Sequence, residues 1–238
     1  MRTPETLRPK LEISIALMLT SALCEYTGFD LWLGGHFFSS REGWVFRDHW
    51  LTNKVVHQGG NYLTVTLAVF MLGCWIYSYF SSRGSQYRPA LGALLWGGIL
   101  SVLMVAGLKS ITHIYSPWDL AMFGGAMPYI RIFDHVPMGI RVGHAFPAGH
   151  ASGAYALIGI YRLAKTHHWK HPQYYLWGVL GLGVIFGLAQ QMRGAHFVSH
   201  DLMTLAICWA ISELAFCYAG RSAEPMGLAK AIDLNRGH

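Results

Sequence analysis

LGALLWGGILSVLMVAGL, from Leu91 to Leu108, holds no charged side chain and stops against Lys109. A hydrocarbon core about 30 Å thick is crossed by a helix of about 20 apolar residues. The stretch therefore reads as a membrane span with a cation set at its end. Five further apolar stretches repeat the reading: Glu12–Phe29, Tyr62–Phe80, Ser152–Leu163, Leu176–Gln190 and Leu202–Tyr218. Ser152–Leu163 falls short of a span unless its helix begins at Gly149, which would place the sequence FPAGH at a helix N-terminus. The whole chain is 53% hydrophobic and 13% charged, with mean hydropathy +0.32. Soluble domains carry about 25% charged residues, so an ordinary soluble fold is excluded. The expectation is an all-α integral membrane bundle of six transmembrane helices, residues 1–218, followed by a cytoplasmic tail, 219–238.

The remaining composition refines that picture. No small-residue cleavage site follows the first run, which carries Glu12 and Glu25, so no cleavable secretory signal is expected. Cys24, Cys74, Cys208 and Cys217 all fall in or beside apolar runs and read as buried helix residues rather than a disulfide framework. Arg2, Arg8, Lys10, Arg83, Arg88, Arg162, Lys165, Lys170, Arg221, Lys230 and Arg236 fall on one side of a six-span topology. Positive residues favour the cytoplasmic side, which puts both termini there and Lys109 on the outer face. Two outer segments are long. His36–Gly60, with Phe37, Phe38, Trp44, Phe46 and Trp50 among charges, reads either as an interfacial amphipathic helix or as a loop with interfacial anchors. Ser116–Pro147, rich in Gly and Pro, reads as an irregular lid or entry loop. The glycines of GVLGLGVIFG and GGNY read as close helix packing.

Polar motifs at the ends of such runs are expensive and point to function. Two contain histidine: FPAGHASG with His150, and RGAHFVSHD with His196, His200 and Asp201. Together with Lys109 and Arg193 they suit a phosphate. Phosphoryl transfer needs cations around the equatorial oxygens, an in-line nucleophile and an acid for the leaving oxygen, and histidine serves both latter roles near neutral pH. Gly149 lets the backbone approach an anion at a helix start. A zinc pair is the competing reading of His196 and His200, four residues apart, but no H-E-x-x-H accompanies them and Asp201 is adjacent rather than between. No metal or other cofactor is expected.

In order and spacing the three segments KSITHIYSP (Lys109–Pro117), PAGH (Pro147–His150) and AQQMRGAHFVSHD (Ala189–Asp201) resemble the type 2 phosphatidic acid phosphatase superfamily, membrane relatives of the vanadium haloperoxidases. That family shows K-x6-RP, then PSGH, then SR-x5-H-x3-D. The resemblance implies that Lys109 holds phosphate, that His150 is the leaving-group acid and later the base, and that His196 is the nucleophile. It also marks departures. Ser116 stands where an arginine is expected, with Arg131 or Arg141 as substitutes from the following loop. Ala148 replaces a serine, and Gln190 replaces the second arginine, with Arg193 nearly one turn further on. His200 occupies the aspartate position and Asp201 follows it, so either could orient His196.

The implied function is a lipid phosphatase, acting through a phosphohistidine on a phosphate monoester or pyrophosphate of lipid A, phosphatidylglycerol phosphate, phosphatidic acid or undecaprenyl pyrophosphate. Its place would be a bacterial inner membrane with the site facing the periplasm, and its partner a membrane lipid phosphate, with no nucleic acid. Two alternatives stay open. One is a phosphotransferase moving phosphate from undecaprenyl pyrophosphate to an acceptor such as lipid A. The other is a non-catalytic lipid-binding membrane protein.

Overall fold

The structure is a computed structural model describing residues 10–235. Arg2, Arg8 and Arg236, which enter the charge asymmetry, lie outside that range. Eight helices and one short hairpin make up the regular structure of the described residues. They are α1 (Leu11–Tyr26), α2 (Phe29–Gly35), β1 (Phe38–Ser39), β2 (Gly43–Trp44), α3 (Gly60–Phe80), α4 (Arg88–Ile111), α5 (Gly149–Tyr155), α6 (Gly159–Thr166), α7 (Pro172–Met192) and α8 (Val198–Asn235). A helical run of wider winding, Leu51–Gly59, leads without a break into α3.

Among the described residues, four helical runs are long and apolar enough to cross a membrane: Leu51–Phe80, Ser85–Ile111, Pro172–Met192 and Val198–Gly220. Two expected spans take a shorter form. α1 has 16 residues, and Ser152–Leu163 lies within α5, a tight turn at Ala156–Ile158, and α6. That segment does begin at Gly149, so His150 stands in its first turn. His36–Gly60 is neither a free amphipathic helix nor a plain loop. Its first half forms the β1–β2 hairpin, which buries Trp44, and its second half is helical. α8 continues past residue 218 to Asn235.

α8 is the centre of the bundle. Half of its apolar window is buried, against 6% for the Leu51–Phe80 run, whose apolar side chains mostly face outward. α1 and α4 flank α8, and α1 is tied to its first turn by polar contacts. Ser21 Oγ donates to the Ser199 carbonyl at 2.7 Å, while Asp30 Oδ1, at the start of α2, accepts from the Ser199 N–H at 3.1 Å. An acid at a helix start satisfies orphan amide donors and suits the helix dipole. At the opposite end, buried Glu213 accepts from Arg162 Nη1 and from the Lys10 N–H, both at 2.9 Å.

Small residues let the helices close around the site. A β-carbon on Gly183 of α7 would overlap the Tyr155 ring of α5. One on Gly60 would stand 2.8 Å from the Phe186 ring and 3.3 Å from His150 Cε1. Glycine at these crossings brings α3, α5 and α7 within reach of one another, as the GGNY and GVLGLGVIFG runs suggested.

The loop Ser116–Pro147 is irregular apart from tight turns at Pro117–Asp119 and Ala121–Phe123. It has an apolar anchor of its own, in which Leu120, Phe123 and Ile130 join Trp44, Tyr115 and Phe197. Polar ties pin it as well: Glu25 Oε1 accepts from the Ile132 N–H at 3.1 Å, and Arg131 pairs with Asp134 at 2.9 Å. Arg131, one of the two candidate substitutes for the missing arginine, is thereby occupied within the loop.

Candidate active site

The site lies where α4 ends, α5 and α8 begin, and α7 turns into α8. The α7–α8 turn depends on Gly194, whose φ of +76° is costly for other residues. A β-carbon there would also overlap the Trp44 indole. Two residues later this turn delivers His196. The PAGH segment is fastened to α8 beside it: the Ala148 N–H donates to the His200 carbonyl at 3.2 Å, and Thr204 Oγ1 donates to the Ala148 carbonyl at 3.0 Å.

His196 is 7% exposed, and its Nδ1 stands 3.3 Å from Nδ1 of His200, which is 1% exposed. Two ring nitrogens at that distance share one proton as donor and acceptor. His200 is itself held edge-on by Phe146 and Phe197, at ring separations of 5.2 and 5.6 Å. Burial above all, then the nearby Lys109 and His200, holds the His196 imidazole well below the usual histidine range. His196 is therefore neutral at pH 7, the form in which a ring nitrogen can attack.

His150 lies across the site in the first turn of α5. Its ring stacks on Phe186 at 4.7 Å and 28°, and the His57 ring lies 4.7 Å away. Its Nδ1 stands 3.2 Å from Asn61 Oδ1, while its Nε2 is buried without a hydrogen-bond partner. Lys109, in the last turn of α4, sets its ammonium against the start of α5: a β-carbon on Gly149 would stand 3.6 Å from Nζ. His144 Nδ1 lies 3.1 Å from the Lys109 carbonyl. The cation, the two histidines and Gly149 thus converge on one spot.

Arg193 stands at the C-terminal end of α7. Its Nε donates to the Arg47 carbonyl at 2.9 Å and its Nη1 to Gln190 Oε1 at 3.1 Å. Gln190, at the family's arginine position, is thus in direct contact with the arginine that was expected to replace it. The amide of Gln190 continues to His57 Nδ1 at 3.0 Å. Arg141 sits elsewhere. It pairs with Asp119 at 3.5 Å across an open cleft of about 550 Å³ that Ser116 and His144 also line. Arg141 and Ser116, the position it was expected to compensate, therefore face the same cleft.

Asp201 goes its own way. Its Oδ2 accepts from Gln191 Nε2 at 2.6 Å and its Oδ1 is buried without a partner. Its carboxylate lies against Gly187 of α7. The hydrogen-bond neighbour of His196 is His200. Among the described residues, no three His, Cys, Asp or Glu side chains are grouped to hold a metal ion.

His57 and Asn61 belong to the site's surroundings without having been singled out from the sequence. The one local signal was the glycine pair of GGNY, which places Gly60 against His150.

A protein-family model described as PAP2 superfamily matches residues 90–224, more than half of the chain. The match takes in Lys109, Gly149, His150, Arg193, His196, His200 and Asp201, and it leaves out His57 and Asn61. No curated protein matches the chain, and no solved structure matches it.

Proposed function

Because the chain belongs to the PAP2 superfamily, whose members are phosphatases, we propose that it is a membrane lipid phosphatase working through a phosphohistidine. The observation that carries the proposal is the convergence of His150, His196 and Lys109, from three separate elements, at one end of an apolar bundle. The substrate is a lipid bearing a phosphate monoester or pyrophosphate, since the site sits at the ends of helices apolar enough to lie among lipid tails. The topology is six passes, residues 1–218, with the site on the outer face of a bacterial inner membrane and residues 219–238 on the cytoplasmic side.

The chemistry follows from the residue types. Lys109 draws in the phosphate, and Arg193 with the Gly149 amide supports its equatorial oxygens. With Nδ1 held against His200, His196 offers Nε2 to phosphorus. His150 takes up a proton at Nε2 as the anionic phosphate binds beside it; the N–P bond then forms as the P–O bond to the lipid breaks, and that proton passes to the leaving oxygen, leaving His150 neutral. Neutral His150 then takes a proton from water, whose oxygen attacks the phosphohistidine, freeing inorganic phosphate and restoring His196.

The test is phosphate release by the purified protein from a panel of lipid A, phosphatidylglycerol phosphate, phosphatidic acid and undecaprenyl pyrophosphate in detergent micelles. Activity on at least one lipid, lost in His150→Ala and His196→Ala, is the expected result. Release that survives His196→Ala removes the phosphohistidine, and label passing to lipid A instead of water makes the protein a phosphotransferase.

A further inference from the structure

We propose that Asn61 is a positioning residue for His150, supplied by a helix outside the family-matched region. The inference rests on the acid and base role given to His150 above. An imidazole that donates a proton from Nε2 and later receives one there must keep its other proton on Nδ1 throughout. That requires an acceptor at Nδ1, and Asn61 Oδ1 stands there at 3.2 Å. Nε2 is the nitrogen without a partner, so the two ends of the ring are already differentiated. An amide oxygen fixes the tautomer without adding a charge.

The surroundings restrict the ring in the other directions. Phe186 stacks on it and His57 lies 4.7 Å away. His57 is fixed in turn. Arg193 can only donate, so Gln190 Oε1 accepts from it, and Gln190 Nε2 donates to His57 Nδ1. His57 Nδ1 therefore carries no proton, and the ring beside His150 is neutral. Leu51–Gly59, which bears His57, has the wider helical winding that often marks functional sites. The charged and titratable groups facing His150 are His57 from its own helical run, Arg193 after α7, Lys109 from α4 and His196 before α8. Replacing the Asn61 amide by a carboxylate would add the one negative partner among them.

The experiment compares purified full-length wild type with Asn61→Leu, Asn61→Asp and His150→Ala, by phosphate release from the preferred lipid across pH 5–9. Asn61→Leu should lower kcat about 10- to 100-fold, part of what general acid–base catalysis supplies, with KM within about twofold. Asn61→Asp should keep kcat within a few-fold and move the basic limb of the pH profile upward by about one unit, because an anion favours the imidazolium. Asn61 is solvent-accessible and its helix packs loosely, so the variants should fold; unchanged thermal unfolding checks this. If His150→Ala is inactive while both Asn61 variants keep the wild-type kcat and pH limb, the positioning role is wrong and the phosphatase reading stands. If His150→Ala retains activity, the underlying reading fails instead.

Discussion

Conversion of His200 to phenylalanine should cost far more activity than conversion of Asp201 to asparagine. His200→Phe removes the side-chain partner of the buried His196 Nδ1, since the two nitrogens face each other at 3.3 Å and both rings are under 10% exposed. An orphaned buried polar group costs about 1–3 kcal/mol, and every 1.4 kcal/mol is about tenfold in rate. The expected loss in kcat is therefore about 10- to 100-fold, at nearly unchanged volume between Phe146 and Phe197. Asp201→Asn keeps an oxygen for Gln191, which approaches at 2.6 Å, so a loss below about tenfold is expected. A carboxylate that orients a catalytic imidazole behaves otherwise, with a loss of about 10⁴ on amide conversion. Steady-state phosphate release at saturating lipid decides between them. A 10⁴-fold loss in Asp201→Asn, with His200→Phe active, would refute the His196–His200 assignment.

Three shorter predictions accompany it. As pH falls from 7 to 5.5, kcat/KM should not fall, because burial keeps His196 neutral well below the ordinary histidine range; a nucleophile of pKa near 6.5 would lose about tenfold there, and that loss in the free-enzyme profile would contradict the placement. Gly183→Ala should lower both thermal stability and activity: its β-carbon overlaps the Tyr155 ring, and overpacking costs about 1–3 kcal/mol, more than the helix propensity gained, so an unchanged melting temperature would mean that α5 gives way freely. Vanadate should inhibit competitively with lipid, as a mimic of the five-coordinate transition state, while activity should survive EDTA; loss with EDTA and recovery with zinc would point to a metal instead.

The apolar runs and the histidine motifs were legible because each rests on a local signal. Leu91–Leu108 is long and uncharged, and Lys109, His150 and His196 sit in short polar motifs at helix ends. Side-chain direction at Asp201 was less accessible. Adjacent residues on a helix differ by about 100° around its axis, while residues four apart share a face. His196 stands in the turn before α8 and meets His200 in the first turn of the helix, while Asp201, about 100° further round, turns toward Gln191 and Gly187 on α7. His57 and Asn61 were hidden for another reason: only tertiary contact with α5 gives them meaning, and GGNY, which contains Asn61, signals close helix packing rather than a polar role. Arg193 was legible as a substitute cation, but its bond to Gln190 depends on how α7 ends.

The run that carries Asn61 also measures depth. From Phe80 to Asn61 is 19 residues, a rise of about 29 Å along a helix, close to the hydrocarbon thickness of about 30 Å. Setting Phe80, 85% exposed, at one boundary of the tails would bring Asn61 to the other. That is the level at which a bilayer keeps its phosphates. On the proposed phosphatase reading, a helix contributing little to the core would act as a ruler, holding Asn61 level with the lipid headgroups.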